Sequence, residues 1–456
     1  MGWVAVGGGF KASLTGAQVR DVRWGRAQET YGEDPYLTSR MGVATVLGIQ
    51  RARDDTRMLS GLAMLKHFVA YDIESNFAVG GTDPQYRLGF TANVTSTDLR
   101  QSFLPAFGAA ITEAGAGSLM CAYSGLRIDG GEGQPMCSHP ILKTELRQRL
   151  NFSGYICSDG GALGFMVDEQ HAYKDAAHAA AAAINAGVDI NSGNTFEPAV
   201  LQSAINQSLI SASQLDPMLR RLFAKRAALG LLDPFGSTPF AKLSVAKDVD
   251  NAEHRAVARK LATRGIVLLK NRDHQLPLDK ASLKKVAVLG PNADSKGALV
   301  GSYAGCIVAA PINNRSQWHV NPDCNLVTPL DGLRTALGSG RVEYEQGVPI
   351  ASDAAPGAIA RAVETAKNAD VAVLVLGLRA CALDPIYPVR CIILLLALRS
   401  SVLGLMEVRC ARVHTTALTL ARKTRPMTAL PSASQACKRS CSEQSPRRPL
   451  RLLWWS

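Results

Sequence analysis

The sequence predicts an α/β fold in two parts: an incomplete (β/α)8 TIM-like barrel, then a partial α/β sandwich. Three observations predict it. Short apolar runs alternate with helix-like segments from Arg20 to about Leu232. A second set of β-rich apolar runs follows a connector containing Pro and Gly. After Gly377 the alternation stops. A length of 456 residues leaves room for two or three domains, each with a real core.

In the first part the strand candidates are "GLAMLKHFVAY", "YRLGFTANV", "GSLMCAY", "GYICSD" and "AGVDIN". Between them lie "STDLRQSFLPAFGAAITEAG", with Ser96 or Thr97 as its cap, "HPILKTELRQRL", and the alanine-rich "AYKDAAHAAAAAINAG" ending on Gly187. Strands alternating with helices predict a parallel sheet wrapped by helices. A closed barrel usually needs about 250 residues, so a region of this length with five strands reads as a barrel without its front. The second part opens with the helix "AEHRAVARKLATRG". It continues through "IVLLKN", "KKVAVLGPNA" and "ADVAVLVLGL", read as buried strands, with "GAIARAVETAKNA" as a helix among them. The boundaries are 1–19 for an unrelated leader, 20–235 for the barrel, 236–260 for a linker, 261–380 for the sandwich and 381–456 for a basic tail outside the fold.

Composition excludes several classes. The chain is 47% hydrophobic and 19% charged, and no run reaches the roughly 18 apolar residues of a membrane span. The net charge of +12 sits mostly in the tail, where 12 Lys and Arg from Cys381 onward face 3 Asp and Glu. That +9 leaves +3 for the first 380 residues, so the charge does not make the body a nucleic-acid binder. The tail also lacks the aromatic interleaving and the module of one. Five of ten cysteines lie in the tail, none in a paired CxxC pattern, so no metal or other cofactor is expected. The amino terminus "MGWVAVGGGFKASL" has no signal-peptide core or cleavage pattern.

Polar residues gather where the strands of the first part end. "RDVRWGRAQETYGEDPYL" packs Arg26 among carboxylates and aromatics, a combination suited to hydroxyl-rich or anionic ligands as well as to a surface salt-bridge network. Lys66 and His67 close an apolar strand, although adjacent strand residues normally face opposite sides. Tyr123 ends "MCAY", and Asp159 ends "YICSD" ahead of Gly160-Gly161. Singly each is weak, and Asp159 alone reads equally well as a helix cap. Together they mark one face, because barrels gather their sites at strand carboxyl ends.

These segments, followed by "GQPMCSHPIL", "AGVDINSG", "RGIVLLKN…LPL", "VAVLGPNA" and "GSYAG…TPLDGL", keep an order that resembles glycoside hydrolase family 3, its β-xylosidase branch in particular. The resemblance spans about Arg20 to Leu378. It implies a barrel followed by an α/β sandwich, and exo-acting hydrolysis of terminal β-linked sugars with retention of configuration. β-D-Xylosidase activity is the first expectation and β-glucosidase the next, on an oligosaccharide or aryl-glycoside substrate without nucleic acid or membrane. By resemblance Asp159 is the nucleophile, Arg26, Lys66 and His67 hold the terminal sugar, and Tyr123 stands beside the nucleophile. An extracellular location is implied for an intact relative. A bridge between Cys121 and Cys137 fits that setting, which spacing alone does not establish. The sequons at Asn93, Asn151, Asn206 and Asn314 fit it too.

Three departures stand against the resemblance. The family's first barrel strands, with an aspartate for sugar hydroxyls, have no counterpart before "RWGR". The branch usually carries Cys and an acidic residue where "SDGGA" has glycines. The family's acid/base glutamate has no equivalent in "RACALDPIYPVRC", where Asp384 is the nearby carboxylate and Glu407 lies in the tail. The expectation is therefore an impaired glycosidase. The alternative is an inactive fragment or a sugar-binding pseudoenzyme.

Overall fold

A computed structural model describes residues 19, 24, 26–51, 58–73, 87–234, 236–300, 307–312, 315–320, 324–349, 354–377 and 394–399. Asp384, Glu407 and nearly all of the predicted tail lie outside the described residues. Among the described residues no helix is long and apolar enough to cross a membrane.

The first part is mixed α/β, with strands β1 (Met64–Phe68), β2 (Thr91–Val94), β3 (Ser118–Cys121), β4 (Gly125–Ile128), β5 (Gln134–Pro135) and β6 (Tyr155–Ser158). β1, β3 and β6 form a parallel sheet in that order. Phe68, Leu119 and Ile156 from these strands pack with Phe103, Phe107, Leu142 and Leu146 in one core. The helix Pro35–Gln50 is started by Asp34, whose carboxylate accepts the N–H groups of Tyr36 and Leu37, with Pro35 in the first turn. At its end the buried Gln50 amide accepts from Ala63 and Gly117 N–H and donates to the Gly115 carbonyl, which fixes the entries to β1 and β3.

The described residues contain no closed barrel, and two predicted barrel strands are placed elsewhere. β2 pairs with β4 in a separate sheet, β2-β4-β5. Gly125 permits that pairing, since a Cβ there would come within 2.7 Å of Thr91 Oγ1. "AGVDIN" supplies only a single bridge, Ile190 to Cys157, because Asp189 and Ile190 both direct their N–H to the Ile156 carbonyl. The helix "AYKDAAHAAAAAINAG" forms as Ala176–Ala186 and ends on Gly187 at φ +102°. The cap of the segment at 96 falls one residue earlier than expected, on Thr95, which accepts the N–H of Asp98.

The second part holds β7 (Val286–Leu289), the antiparallel pair β8 (Ile307–Ile312) and β9 (Arg315–Val320), then β10 (Val342–Glu345), β11 (Val371–Leu376) and β12 (Leu394–Arg399). Its sheet runs β10-β7-β11-β12, parallel except for β12. Val286, Val288, Val371, Val373 and Val375 form its core with Leu330 and Leu337 of the helix Pro329–Leu337. Two expectations are corrected. "IVLLKN" forms no strand, and Ile266 to Leu269 stand 62–79% exposed. Four apolar residues form a strand only where they pair with a neighbour, and these pair with no described strand. Conversely, β12 lies inside the predicted tail and closes the edge of β11, which an apolar run opposite an open strand is suited to do.

Candidate active site

The carboxyl ends of β1, β3 and β6 lie side by side. Ala122 N–H donates to the Phe68 carbonyl at 2.9 Å, and Asp159 N–H to the Cys121 carbonyl at 3.2 Å. The disulfide Cys121–Cys137, with Cα atoms 5.3 Å apart, ties the end of β3 to the segment Met136–Ser138.

β1 is irregular where it matters. Leu65 faces Leu119 and Phe68 faces Cys121, so Lys66 and His67 together oppose the single residue Met120. Such a bulge re-aims side chains, which is how two neighbours reach the same region. His67, 1% exposed, places Nε2 3.3 Å from Asp159 Oδ2. Lys66 Nζ lies 3.9 Å from Glu29 Oε2. Arg26 forks onto the same carboxylate, its Nε and Nη2 each 2.9 Å from a Glu29 oxygen. The predicted cations Arg26 and Lys66 therefore meet on Glu29.

Asp159 follows β6 at the head of a turn. Its Oδ1 accepts the Gly160 N–H at 2.7 Å. Gly161 stands at φ +77° and starts the helix Ala162–Asp168, a left-handed position suited to glycine. A Cβ there would also press on the Phe165 ring at 3.2 Å. The Tyr123 hydroxyl donates to the Gly160 carbonyl at 2.9 Å. Burial foremost, and then the negative charge of Asp159, push the Tyr123 hydroxyl far above its ordinary value, against the opposing charges of Arg87 and Arg26. Tyr123 is therefore a neutral hydroxyl at any ordinary pH.

Aromatic rings wall the region. Tyr71, fully buried, meets His67 at 5.2 Å, Tyr123 at 6.0 Å and Phe90 at 6.2 Å between centroids. Arg87 lies over the Tyr123 ring at 5.1 Å and over Tyr71 at 5.9 Å. Behind Asp159, the buried thiol of Cys157 is pushed up to about 12 by burial and then by the charges of Asp159 and Asp189. It is inert as a nucleophile.

The structure thus brings His67, Tyr123 and Asp159 together directly, with Arg26 and Lys66 joined to one another through Glu29. Sequence reasoning missed Glu29, Tyr71 and Arg87. Glu29 stands three residues after Arg26, a spacing that pairs side chains on a helical turn. Tyr71 ends the same apolar run that carries Lys66 and His67. Arg87 carries no local signal.

Comparison with known proteins identifies the family. The model of the glycosyl hydrolase family 3 N-terminal domain matches residues 17–224, and that of the family's C-terminal domain matches residues 266–384. A probable β-D-xylosidase 7 of Arabidopsis thaliana is 37% identical over 79% of this chain and 44% of its own length. A β-xylosidase/α-L-arabinofuranosidase 2 of Medicago sativa subsp. varia is 33% identical over 78% of this chain and 42% of its own. A solved GH3 exo-β-xylosidase, in complex with a xylobiose aziridine activity-based probe, superposes with a TM-score of 0.67 at 31% identity, covering 79% of this chain and 42% of that one. A β-glucosidase from Listeria innocua in complex with isofagomine gives 0.63 at 29% identity, covering 80% and 46%. The chain therefore spans less than half the length of these relatives.

Proposed function

The chain belongs to glycosyl hydrolase family 3, and from that premise we propose that it carries the nucleophile half of a retaining exo-β-glycosidase acting on terminal β-D-xylosyl units, with β-glucosides as the next substrate class. The observation that carries the reading is Asp159 at the carboxyl end of β6, with His67 Nε2 3.3 Å from one oxygen and the Gly160 N–H on the other. One oxygen accepts a backbone N–H and the other faces the His67 ring, and a carboxylate held in this way at a strand end is able to attack an anomeric carbon. The sugar's C1–O bond breaks as the Asp159 ester forms, and water later hydrolyses that ester. Arg26, Lys66 and His67 hold the sugar hydroxyls, and neutral Tyr123 fixes the turn that carries Asp159.

The first step also needs a proton for the departing oxygen, from a second carboxyl about 5 Å away in retaining enzymes. Between β11 and β12 the sequence offers only Asp384, so turnover depends on how good the leaving group is. Dinitrophenolate departs from its xyloside without protonation, whereas the second xylose of xylobiose does not depart unprotonated. The expected result is release from the activated xyloside, with xylobiose hydrolysed slower by about 10²–10⁴-fold than in an enzyme with its acid in place. Asp159→Ala should lower release from the activated substrate by about 10³-fold or more, the scale of removing an essential nucleophile. Folded wild-type chain that releases no dinitrophenol overturns the enzyme reading and leaves a sugar-binding fragment, which xylose titration by calorimetry would identify.

A further inference from the structure

We infer that Ser158 is a positioning residue for Asp159, acting through Asn191 and Ser192; this rests on the nucleophile reading given above. Ser158 is the last residue of β6 and is fully buried. Its hydroxyl is used twice: it donates to Asn191 Oδ1 at 2.9 Å and accepts the Ser192 backbone N–H at 2.9 Å. Its own backbone N–H donates to the Ile190 carbonyl at 2.9 Å. The Ser192 carbonyl in turn accepts the Gly161 N–H at 2.6 Å. The loop 190–192 thus grips the chain just before Asp159 and again just after Gly160.

On the other side, Asp159 N–H is held by the Cys121 carbonyl and the Gly160 carbonyl by the Tyr123 hydroxyl. The turn is clamped from both flanks, and on the loop flank the Ser158 hydroxyl adds two side-chain bonds to the two backbone ones. Packing does not ask for a hydroxyl there. The preceding buried position is a cysteine, and alanine would fill a fully buried strand end at less desolvation cost. Asn191 Nδ2 is also buried with no acceptor among the described residues, so the amide is oriented through its Oδ1 bond to Ser158. That arrangement is costly for stability alone and useful for holding a loop in register. Losing it lets the turn, and the carboxylate it carries, drift, and a displacement of about 1 Å at a reacting atom costs on the order of 10²-fold in rate.

The test is covalent labelling of the full chain by dinitrophenyl 2-deoxy-2-fluoro-β-xyloside, followed by intact mass, with the maximal labelling rate separated from the concentration giving half that rate. In Ser158→Ala the maximal rate should fall about 10- to 100-fold while the half-rate concentration stays near the wild-type value. Ser158→Thr, which restores the hydroxyl, should recover most of the rate. Asn191→Ala, which keeps Ser158, should fall between them and serves if Ser158→Ala does not fold. Wild-type labelling rates in both alanine variants, or a loss confined to the half-rate concentration, overturn the positioning role and leave the nucleophile reading intact. Wild-type chain that takes up no label overturns the nucleophile reading, and this inference with it.

Discussion

β6 and β7 are short, buried strands, each with a buried polar side chain close by, and the two polar groups are treated in opposite ways. Next to β6, the Asp189 carboxylate has no exposure and every oxygen is occupied. Oδ2 accepts from Arg147 at 2.9 Å and from the Ile156 N–H at 2.8 Å, while Oδ1 accepts from Arg221 Nε and Nη2 at 2.8 and 2.6 Å. Beyond β7, the Asn292 amide is equally buried, yet neither its oxygen nor its nitrogen has a hydrogen-bond partner among the described residues. The sheet of β7, β10 and β11 is held by a largely valine core, with polar contacts such as those of Asp370 and Glu343 at exposed positions. The sheet that presents Asp159 is instead pinned by charges. Apolar packing fixes the spacing of strands but tolerates small slides, whereas saturated hydrogen bonds fix direction as well. A strand that must aim one carboxylate needs the second kind of support.

The largest expected effect comes from removing that support. Arg147 is held below its ordinary value, at about 10, by burial first, with the Asp189 charge opposing that shift and the Arg221 charge reinforcing it. Asp189→Ala would leave two neighbouring guanidinium groups without their counter-charge and the Ile156 N–H without an acceptor. A loss of about 3–5 kcal/mol is expected, the cost of breaking a buried pair, read from urea unfolding. A loss under about 1 kcal/mol would mean that both arginines swing into water, and the contrast with β7 would collapse.

How much of this was legible in the sequence follows the range of the interactions. His67, Tyr123 and Asp159 were readable because each is a polar residue ending an apolar run, a local pattern, and the ordered motifs around them named the family. The Asp189 clamp was not readable. Its arginines stand 42 residues before and 32 residues after in sequence, and each looks locally like an ordinary solvated charge. "IVLLKN" was misread for the same reason in reverse, since its apolar run is local while burial belongs to the tertiary structure. The bulge that brings Lys66 and His67 together depends on the register with β3, which no single strand encodes. The second sheet was legible for β7 and β11, whose valine runs suit a parallel sheet buried on both faces. β10 escaped because "VEYE" reads as a polar surface segment.

The same comparison predicts a smaller effect at β7, and of the opposite sign. Asn292→Leu keeps roughly the same volume and removes a donor and an acceptor that have no partner. Replacing an unsatisfied buried amide with an apolar group of like shape should be neutral or stabilising, by up to about 1 kcal/mol, measured by thermal unfolding. Destabilisation beyond about 1.5 kcal/mol would show that the amide is used, and would place β7 beside β6 as a strand with polar support.

The smallest effect concerns the exposed attachment of the second sheet, and it is visible only through pH. Asp370 precedes β11, and its Oδ2 accepts the N–H groups of Lys284 at 2.6 Å and Lys285 at 2.8 Å, just ahead of β7. These bonds, Lys285 first, hold the carboxyl below the usual carboxylate range. A group that binds its proton less readily when folded stabilises the fold fully above its unfolded value, about 3.9 for an aspartate. That stability is lost as pH falls through the lower folded value. Asp370→Asn mimics the protonated acid, so the wild-type chain should melt slightly higher than the variant at pH 7, and the difference should close as pH falls below about 4. Salt should hardly change it, because the partners are backbone N–H groups rather than side-chain charges. A gap that persists unchanged at pH 3 would mean that the bonds survive protonation and that Asp370 contributes by shape alone. The second sheet would then have no charge-dependent anchor at this strand junction, and the division between a charge-pinned site and a valine-packed neighbour would be sharper still.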